Sequence, residues 1–274
     1  MTDADRKPNP DLTMNYDYAA LTDTGRMREN NEDSVSFDAV AGLAVLADGM
    51  GGYNAGEVAS SMATAFITSE LGKWLTQAGE QVPSRDVRRA MEVCVDNANT
   101  SIYVSAENNP KYSGMGTTLV VGAFLGSRLI LGHIGDSRCY RWRNNTLLPI
   151  TRDHSLLQEQ LDAGLITPEE AAVSPHRNLV TRALGVEGAV ELEVNEFRVE
   201  AGDTYLMCSD GLSDMLSDSV IAAEFSRNGE LQALAAALIA AANESGGRDN
   251  VSVLLINASE STKKPGFIGR LLGK

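Results

Sequence analysis

Short acidic clusters beside apolar segments constrain the fold of this chain more than any other feature of its sequence. Three predicted buried strands, Leu43–Ala47, Tyr205–Cys208 and Val251–Ile256, each adjoin such a cluster. The clusters read Asp48-Gly49-Met50-Gly51-Gly52, Ser209-Asp210-Gly211 and Gly247-Arg248-Asp249-Asn250, and Asn31-Glu32-Asp33 forms a fourth. Glycine permits tight turns, and turns at strand ends bring together acids that are distant in sequence. We therefore expect these carboxylates to meet at one place.

Carboxylates gathered in this way predict a metal site. They repel one another and are costly to desolvate, so they normally need cations. The chain contains only three histidines and three cysteines, which favours hard ions bound by oxygen, such as magnesium or manganese. The predicted ligands are Asp48, Asp210 and Asp249 first, then the Gly49 carbonyl, then Glu32 and Asp33 directly or through water, and Asp136 for an additional ion. Any one of these acids alone would more often be a turn residue or a helix N-cap, so the prediction rests on their number.

Arg28 lies just upstream of the acidic pair formed by Glu32 and Asp33. A guanidinium close to a carboxylate metal cluster suits an anionic, phosphorylated substrate, because it can bind two phosphate oxygens at once. The alternative is a surface ion pair with Glu29 or Glu32. Proximity in sequence does not separate these two interpretations.

Charge and cysteine usage limit the partners and the compartment. A net charge of −14 argues against nucleic acid as the main partner, because a phosphate backbone requires a basic surface. Cys94, Cys139 and Cys208 show neither zinc spacing nor a disulfide pattern, which favours reduced thiols in the cytosol. Met1–Asp11 lacks the apolar stretch of a signal peptide, and no window reaches the length of a transmembrane helix. We expect a cytoplasmic protein.

The order of predicted helices and strands indicates an α+β fold. Helices are predicted over Asn54–Leu75, with an end near Gly72, and over Ser84–Glu107, with Ser84 as N-cap. The later predicted elements are strands at Thr117–Phe124, Arg128–Gly135, Cys139–Arg143, Val190–Val199 and Thr204–Cys208, and helices at Ser155–Ala163, Asp218–Phe225 and Glu230–Asn243. Thr167-Pro168-Glu169-Glu170 is a capping box, and an irregular surface flap follows it to about Val180. Because strands and helices occur in separate blocks, stacked sheets flanked by helices are favoured over a doubly wound sheet.

The motifs together resemble the metal-dependent protein phosphatases of type 2C. They are Arg28-Glu29-Asn30-Asn31-Glu32-Asp33, Asp48-Gly49-Met50-Gly51-Gly52, Gly114-Met115-Gly116-Thr117-Thr118, Gly135-Asp136-Ser137-Arg138, Ser209-Asp210-Gly211-Leu212 and Gly247-Arg248-Asp249-Asn250. They follow the family's order, and Ala55-Gly56-Glu57-Val58-Ala59-Ser60 after the glycine turn is similar to its bacterial branch. The resemblance implies a four-layer α-β-β-α sandwich of two antiparallel sheets flanked by helix pairs. It also implies hydrolysis of phosphoserine and phosphothreonine in opposition to a bacterial Ser/Thr kinase.

The same resemblance implies a role for each site residue. Asp48 is expected to bridge two divalent ions, which are Mn²⁺ or Mg²⁺. Asp210 and Asp249 complete the ligands of one ion, and the Gly49 carbonyl is a ligand of the other. Glu32 and Asp33 surround the second ion, partly through water, while Asp136 with Asp210 matches a third position. Arg28 binds the phosphate. Two such ions acidify a bridging water, and the hydroxide attacks phosphorus in line, so Arg28, Asp48 and Asp210 are the expected catalytic residues.

Two positions depart from the family's pattern, and the histidines need separate interpretations. Many eukaryotic members have His at the position of Met50, and many bacterial members have His at that of Tyr53. Met50 cannot protonate a leaving alkoxide, so water must do so. His154, at the entry to the flap, and His133, within an apolar strand, are interpreted as structural residues. His176 lies on the flap, and its contact with substrate is left open.

Two alternatives remain beside the phosphatase. A phosphatase-like binding module would have lost one of the expected acids, and none is missing; a metal nuclease conflicts with the acidic charge. The predicted divisions are a flexible segment 1–14, a phosphatase domain 15–258 and a basic tail 259–274. The stretch Lys263–Lys274 is expected to be a solvated tail, with an anionic membrane or a partner as the alternative. We expect a monomer.

Overall fold

The computed structural model describes residues 14–51, 55–167, 170–171, 179–227 and 229–261. Tyr53, His176, the stretch Lys263–Lys274 and most of the predicted flap lie outside these residues. In chain order the elements are β1 (Met14–Asp23), β2 (Asp33–Asp38), β3 (Leu43–Met50), α1 (Ala55–Ala78), α2 (Ser84–Asn108), a 3-10 turn (Pro110–Tyr112), β4 (Gly116–Thr117), β5 (Leu119–Leu125), β6 (Arg128–Ile134), β7 (Arg138–Arg143), β8 (Thr146–Pro149), α3 (Leu156–Asp162), β9 (Glu193–Arg198), β10 (Thr204–Cys208), α4 (Asp210–Ser213), α5 (Asp218–Arg227), α6 (Leu231–Glu244) and β11 (Val251–Glu260).

The strands form two antiparallel sheets. One sheet has the order β1-β11-β10-β7-β8, and the other has the order β2-β3-β5-β6-β9, with β4 paired to β3. In the first sheet, Met14 pairs with Glu260 at the far ends of β1 and β11. The ordered sheet therefore reaches past both ends of the predicted 15–258 domain.

Side chains that alternate along the central strands separate three apolar cores. On β3, Leu43, Val45 and Ala47 pack against α1 and α2. The intervening Ala44 and Leu46 pack between the two sheets. A third core lies between the first sheet and the helices α5 and α6. Since a strand presents successive side chains to opposite faces, strands buried on both faces give four layers, which confirms the α-β-β-α sandwich.

The strands that the sequence patterns missed are edge strands. Neither β1 nor β8, at the two edges of the first sheet, was predicted, and the same holds for β2 at an edge of the second. An edge strand exposes one side of its backbone and buries fewer side chains, so its sequence carries more polar residues. β2 reads Asp33-Ser34-Val35-Ser36-Phe37-Asp38, with only Asp33 buried. Its apolar content is too low for a pattern of buried strands to reveal it.

Two helix ends differ from their predictions. The helix α1 continues through the buried Gly72 to Ala78, and its buried face on both sides of Gly72, with Leu71 and Leu75, packs in the core. The N-cap of α2 is Pro83, which makes no side-chain cap hydrogen bond, and Ser84 is the first residue of the helix. Its hydroxyl instead donates to Glu196 at 2.8 Å. Tertiary contacts therefore override both local signals.

Other local predictions are confirmed. Thr167 and Glu170 exchange the two hydrogen bonds of a capping box, at 2.8 and 3.2 Å. Ser155 caps α3 by accepting from the backbone of Gln158 at 3.2 Å. All three cysteines are buried and unpaired. In the part of the chain that the structure describes, no helix has the length and apolar character needed to cross a bilayer.

Candidate metal centre

A cleft of about 250 Å³ opens where the ends of β3 and β10 meet the start of β11. Its walls are formed by Arg28, Glu32, Asp48, Gly49, Met50, Gly51, Thr118, Asp136, Val180, Asp210, Asp249 and Asn250. Seven of the eight predicted site residues therefore line one cavity. The eighth, Asp33, is buried beside it and is only 9% exposed. Two larger cavities lined by described residues, of about 590 and 610 Å³, contain none of the predicted residues.

The pairing of β2 with β3 brings two of the acids together. Asp33 lies directly opposite Asp48 in this antiparallel register, so both side chains lie on the same face of the sheet. The backbone of Asp48 is held by Thr118, whose hydroxyl accepts from the Asp48 amide at 3.0 Å. The second sheet therefore places two carboxylates side by side on one face, at the cleft.

Gly49 allows the start of α1 to approach the acids. A Cβ at Gly49 would lie 2.1 Å from the carbonyl oxygen of Gly56. Only glycine, which has no Cβ, avoids this clash. The Gly49 amide donates to the Glu32 carbonyl at 3.1 Å. In the same region the Gly56 amide hydrogen-bonds to the Glu32 carboxylate. A negative group is favoured at a helix N-terminus, where amides lack partners within the helix.

Ser209 connects the first sheet to the acids of the second. It precedes Asp210, the first residue of α4. Its hydroxyl donates to Asp33 Oδ2 at 2.7 Å and accepts from the Ser252 amide at 3.0 Å. The sequence motif contained Ser209 but did not indicate this role. The hydroxyl thus connects β10, β11 and β2 directly beneath the cleft.

Asn250 is a second positioning residue that the sequence analysis did not assign. Its Oδ1 accepts from the Glu32 amide at 2.8 Å. Its Nδ2 donates to the carbonyls of Thr24 at 3.0 Å and Asn30 at 2.8 Å. Arg28 and Glu32 lie in the loop between β1 and β2, and these contacts attach this loop to the start of β11. The only signal in the sequence was its place beside Asp249.

Mutual repulsion and burial dominate the electrostatics of the site. Burial raises the pKa of Asp48 well above its ordinary value, and Asp33 and Asp210 raise it further. Burial likewise raises the pKa of Asp210, with Asp136 as the next contributor. It raises the pKa of Asp33 to about 6 although Ser209 donates a hydrogen bond to this carboxylate. Burial and the nearby Asp153 raise the pKa of Asp136 to about 6.

The residues fit hard divalent cations. Asp33 Oδ1 is buried and has no hydrogen-bond partner among the residues that the structure describes, which is a costly arrangement for a carboxylate oxygen unless a cation binds it. The donors around the cleft are carboxylate and carbonyl oxygens, the ligands that Mg²⁺ and Mn²⁺ prefer. The raised pKa values of the acids indicate that added positive charge would stabilise the group.

Arg28 extends to the acidic centre. Its Nη2 forms an ion pair with Asp249 Oδ2 at 2.8 Å, and its side chain is 49% exposed. The sequence alternatives were Glu29 and Glu32, so the partner is a different acid, far along the chain. The position leaves the guanidinium at the mouth of the cleft, within reach of solvent.

Asp214 is an acidic neighbour that the sequence analysis missed. It follows Asp210 by one helical turn, and its amide donates to the Asp210 carbonyl at 2.8 Å. Its charge raises the pKa of both Asp136 and Asp210. Two acids four residues apart share a helix face, and this spacing was the available signal.

His133 and His154 lie outside the cleft lining. His133 is buried, and its Nε2 donates to the Arg152 carbonyl at 2.8 Å, which confirms a satisfied core residue. His154 is buried and hydrogen-bonds to Gly135 and Glu193. Met50 does line the cleft, and its thioether offers no proton. The sequence interpretation of these three residues therefore holds within the described structure.

Comparison with known proteins identifies the family. The sequence profile named protein phosphatase 2C matches residues 25–243. The chain is 44% identical over 245 residues to a serine/threonine protein phosphatase of Mycobacterium tuberculosis, PstP, and this match spans 89% of the chain but 45% of PstP. It is 36% identical to the phosphatase stp of Listeria monocytogenes, over 88% of the chain and 96% of that protein. The chain thus spans less than half of the mycobacterial relative.

Solved structures support the same conclusion. The catalytic domain of PstP in complex with two manganese ions superposes with a TM-score of 0.79 at 41% identity, covering 90% of this chain and all of that domain. The Staphylococcus aureus phosphatase Stp1 superposes with a TM-score of 0.80 at 30% identity, covering 92% of this chain and 98% of that one. Both superpositions cover at least 90% of this chain.

Proposed function

The chain belongs to the protein phosphatase 2C family, and we propose that it is a metal-dependent protein phosphatase that hydrolyses phosphoserine and phosphothreonine. The observation that carries the proposal is the meeting of Asp48, Asp210, Asp249 and Arg28 in one cleft. Acids separated by most of the chain converge there beside the half-exposed guanidinium of Arg28. This combination of an oxygen-donor cation site and a phosphate-binding group is what phosphoryl hydrolysis requires.

We assign two divalent cations, Mn²⁺ or Mg²⁺, to the acids of the cleft. Asp48 is central because Asp33, Asp210, Asp136 and Asp249 all raise its pKa. Asp210 and Asp249 would hold one ion with Asp48, and the Gly49 carbonyl would hold the other, with Glu32 and Asp33 close by. Asp136 with Asp210 would hold a third ion. When bound, such cations make hydroxide available near neutral pH and offset charge on the phosphoryl oxygens.

Arg28 would bind and orient the phosphoryl group. Its guanidinium now pairs with Asp249 at 2.8 Å, and a phosphate dianion offers a stronger bidentate partner than one carboxylate oxygen. The side chains of Arg28 and Asp249 are 49% and 29% exposed. Arg28 can therefore turn towards substrate without leaving Asp249 as a fully buried charge. Arg28 thereby sets the orientation of the phosphorus towards the acids.

The cleft favours direct hydrolysis over a covalent intermediate. Among its lining residues, Thr118 carries a hydroxyl, but that oxygen accepts from the Asp48 amide at 3.0 Å and hydrogen-bonds to Ser137 at 2.8 Å. It is therefore held as a structural group. Met50 cannot donate a proton, so water would protonate the leaving alkoxide.

A phosphatase-like binding module is the second candidate. Every acid that the metal centre requires is present, which favours catalysis. The proposed substrates are proteins phosphorylated on serine or threonine, and the proposed partner is a Ser/Thr kinase of the same cell. We place the reaction in the cytosol, where three unpaired thiols remain reduced.

The deciding experiment measures phosphate release from a phosphothreonine peptide. The full chain should be active with Mn²⁺, inactive in excess EDTA and active again after Mn²⁺ is restored. Asp210→Asn serves as the catalytically impaired control that keeps the fold. Undiminished turnover in EDTA, after metal removal is verified by elemental measurement, would sink the proposal.

A further inference from the structure

His133, His154 and Glu193 form a cluster outside the cleft lining, in which the two histidines are buried and Glu193 is partly exposed. The two imidazole rings stack with centroids 4.6 Å apart and an interplanar angle of 16°. Glu193 lies opposite His133 in the pairing of β6 with β9, and its Oε2 is 3.3 Å from His154 Nε2. The three residues have ligand atoms within 4.8 Å of one another. This arrangement suggests a zinc site at first sight.

The hydrogen bonds contradict a zinc site. The Gly135 amide donates to His154 Nδ1 at 3.2 Å, so the proton of the neutral ring resides on Nε2. This nitrogen then faces Glu193 as a donor and has no lone pair for a metal. The lone pairs of two nearly parallel, stacked rings also lie in separate planes, so one ion cannot lie in both. The cluster is a hydrogen-bonded unit that orients His154.

The oriented ring holds Gly135 from one side. The Gly135 amide donates to His154 Nδ1, and in return the His154 backbone amide donates to the Gly135 carbonyl at 2.8 Å. On the other side, a Cβ at Gly135 would lie 2.7 Å from Thr118 Cγ2, and its φ of +98° requires glycine. Gly135 is therefore confined between His154 and Thr118. The next residue is Asp136.

The turn that follows is held by the same segment. Arg138 forms a bidentate ion pair with Asp153, at 2.9 Å from Nε to Oδ1 and 2.6 Å from Nη2 to Oδ2. Ser137 hydrogen-bonds to Thr118 at 2.8 Å. Residues 153–154 thus contact the turn before and after Asp136, without lining the cleft themselves. They can set the position of the Asp136 carboxylate without touching substrate.

We propose that His154 is a positioning residue, which as the Nε2-protonated tautomer holds the Gly135 amide and thereby sets the position of Asp136 relative to Asp210. The inference rests on the proposed function, in which these two acids share an ion. Glu193 and the stacked His133 keep the ring in this tautomer and orientation. Groups that orient metal ligands from behind commonly change metal affinity by about 10- to 100-fold.

The first test reads the tautomer directly. Nitrogen-15 NMR of histidine-labelled full chain, in EDTA, should show His154 Nδ1 unprotonated and Nε2 protonated. The Gly135 amide resonance should move in His154→Leu and return towards its original position in His154→Asn. A proton on Nδ1 would overturn the proposal, because that nitrogen could not accept from Gly135.

The second test compares two variants that both lack the imidazole. The Asn Oδ1 occupies the position of Nδ1 and can accept from the Gly135 amide, whereas Leu offers no acceptor. Manganese titration by calorimetry should show the ion at Asp136 weakened by about 10- to 100-fold in His154→Leu and largely restored in His154→Asn. Asp136→Asn identifies which binding event belongs to this ion. Equal weakening in the two variants would overturn the proposal.

The remaining outcomes separate this inference from the proposed function. One outcome refutes the positioning role alone. In it, wild-type protein binds two manganese ions and hydrolyses phosphopeptide, but its titration shows no manganese-binding event that Asp136→Asn removes. Protein that binds no manganese and releases no phosphate refutes the proposed function, whatever the tautomer. A zinc ion bound by wild type and Asp136→Asn but lost in His154→Leu establishes a zinc site in place of the hydrogen-bonded unit.

Discussion

Asp33 and Asp48 face each other directly across β2 and β3; Asp33 is buried beside the cleft, and the half-buried Asp48 lines it. Like charges in opposite positions of an antiparallel pair destabilise a sheet. Burial makes this worse, because it removes the water that would screen them. The fold therefore contains a local electrostatic conflict that cations relieve, and four expectations follow from it and from its surroundings.

Manganese should stabilise the folded chain. Ions that bind only the native state contribute about 2.7 kcal/mol at a hundredfold excess over Kd. The melting temperature, followed by calorimetry, should rise with manganese concentration. In Asp48→Asn the melting temperature in EDTA should be higher than that of wild type, because repulsion is relieved, and its dependence on manganese should be lost. A flat titration for wild type, across concentrations that activate it, contradicts a preorganised centre.

In EDTA, the acids of the centre should reduce stability as pH rises. The pKa of Asp136 is raised from 3.8 to about 6 in the folded chain. Between these two values the folded state binds more protons than the unfolded state, so stability falls with rising pH in this window. The stability difference between Asp136→Asn and wild type should therefore grow from about pH 4 to about pH 6 and then level off. Urea unfolding at pH 4.5, 5.5 and 7.0 measures it, and a difference that shrinks with pH contradicts the assignment.

Arg28→Ala and Asp210→Asn should separate substrate binding from metal binding. Loss of one charge-assisted contact costs about 1.5–3 kcal/mol, so Arg28→Ala should lower kcat/KM about ten- to a hundredfold and retain manganese. Asp210→Asn should lose both manganese affinity and nearly all turnover. Kinetics with a phosphothreonine peptide and calorimetric titration on both variants provide the comparison. Normal turnover in Asp210→Asn, or loss of metal in Arg28→Ala alone, would show that the roles are assigned wrongly.

Gly49→Ala should destabilise the fold even without metal. The new Cβ would lie 2.1 Å from the Gly56 carbonyl oxygen, so the start of α1 must move, at a cost of about 1–3 kcal/mol for overpacking. Gly229→Ala is the matched control, because its Cβ would meet nothing within 4 Å, and its effect should stay within about 0.5 kcal/mol. Urea midpoints in EDTA compare the two. Equal midpoints would mean that the close approach of α1 to β3 is not required.

Patterns confined to a few residues were enough to predict much of the fold. The stripe of Val87, Met91, Val95, Ala98 and Ile102 predicted α2, and all five side chains are buried. The apolar runs before Asp48 and Asp210 predicted central strands, because a strand covered on both faces must be apolar along its length. The edge strand β2 was missed because only Asp33 is buried in it, so its apolar content is too low to reveal a strand.

The sequence by itself determined which chemistry is available at the site. Acids at the ends of apolar runs, with few histidines and cysteines, select oxygen-bound cations wherever the chain folds. The family motifs added the order and the roles of Asp48, Asp210 and Asp249. These conclusions depend on residue type and on local position, which a sequence states directly.

Only the tertiary structure decided which groups meet. Arg28 pairs with Asp249, a partner 221 residues away, in place of the neighbouring glutamates. Ser209 donates to Asp33 across 176 residues, and Asn250 holds Glu32 across 218. Such partners depend on how two sheets stack and on the register of their strands. No local pattern contains that information, because hydrogen bonds and ion pairs depend on distances that the packed core establishes.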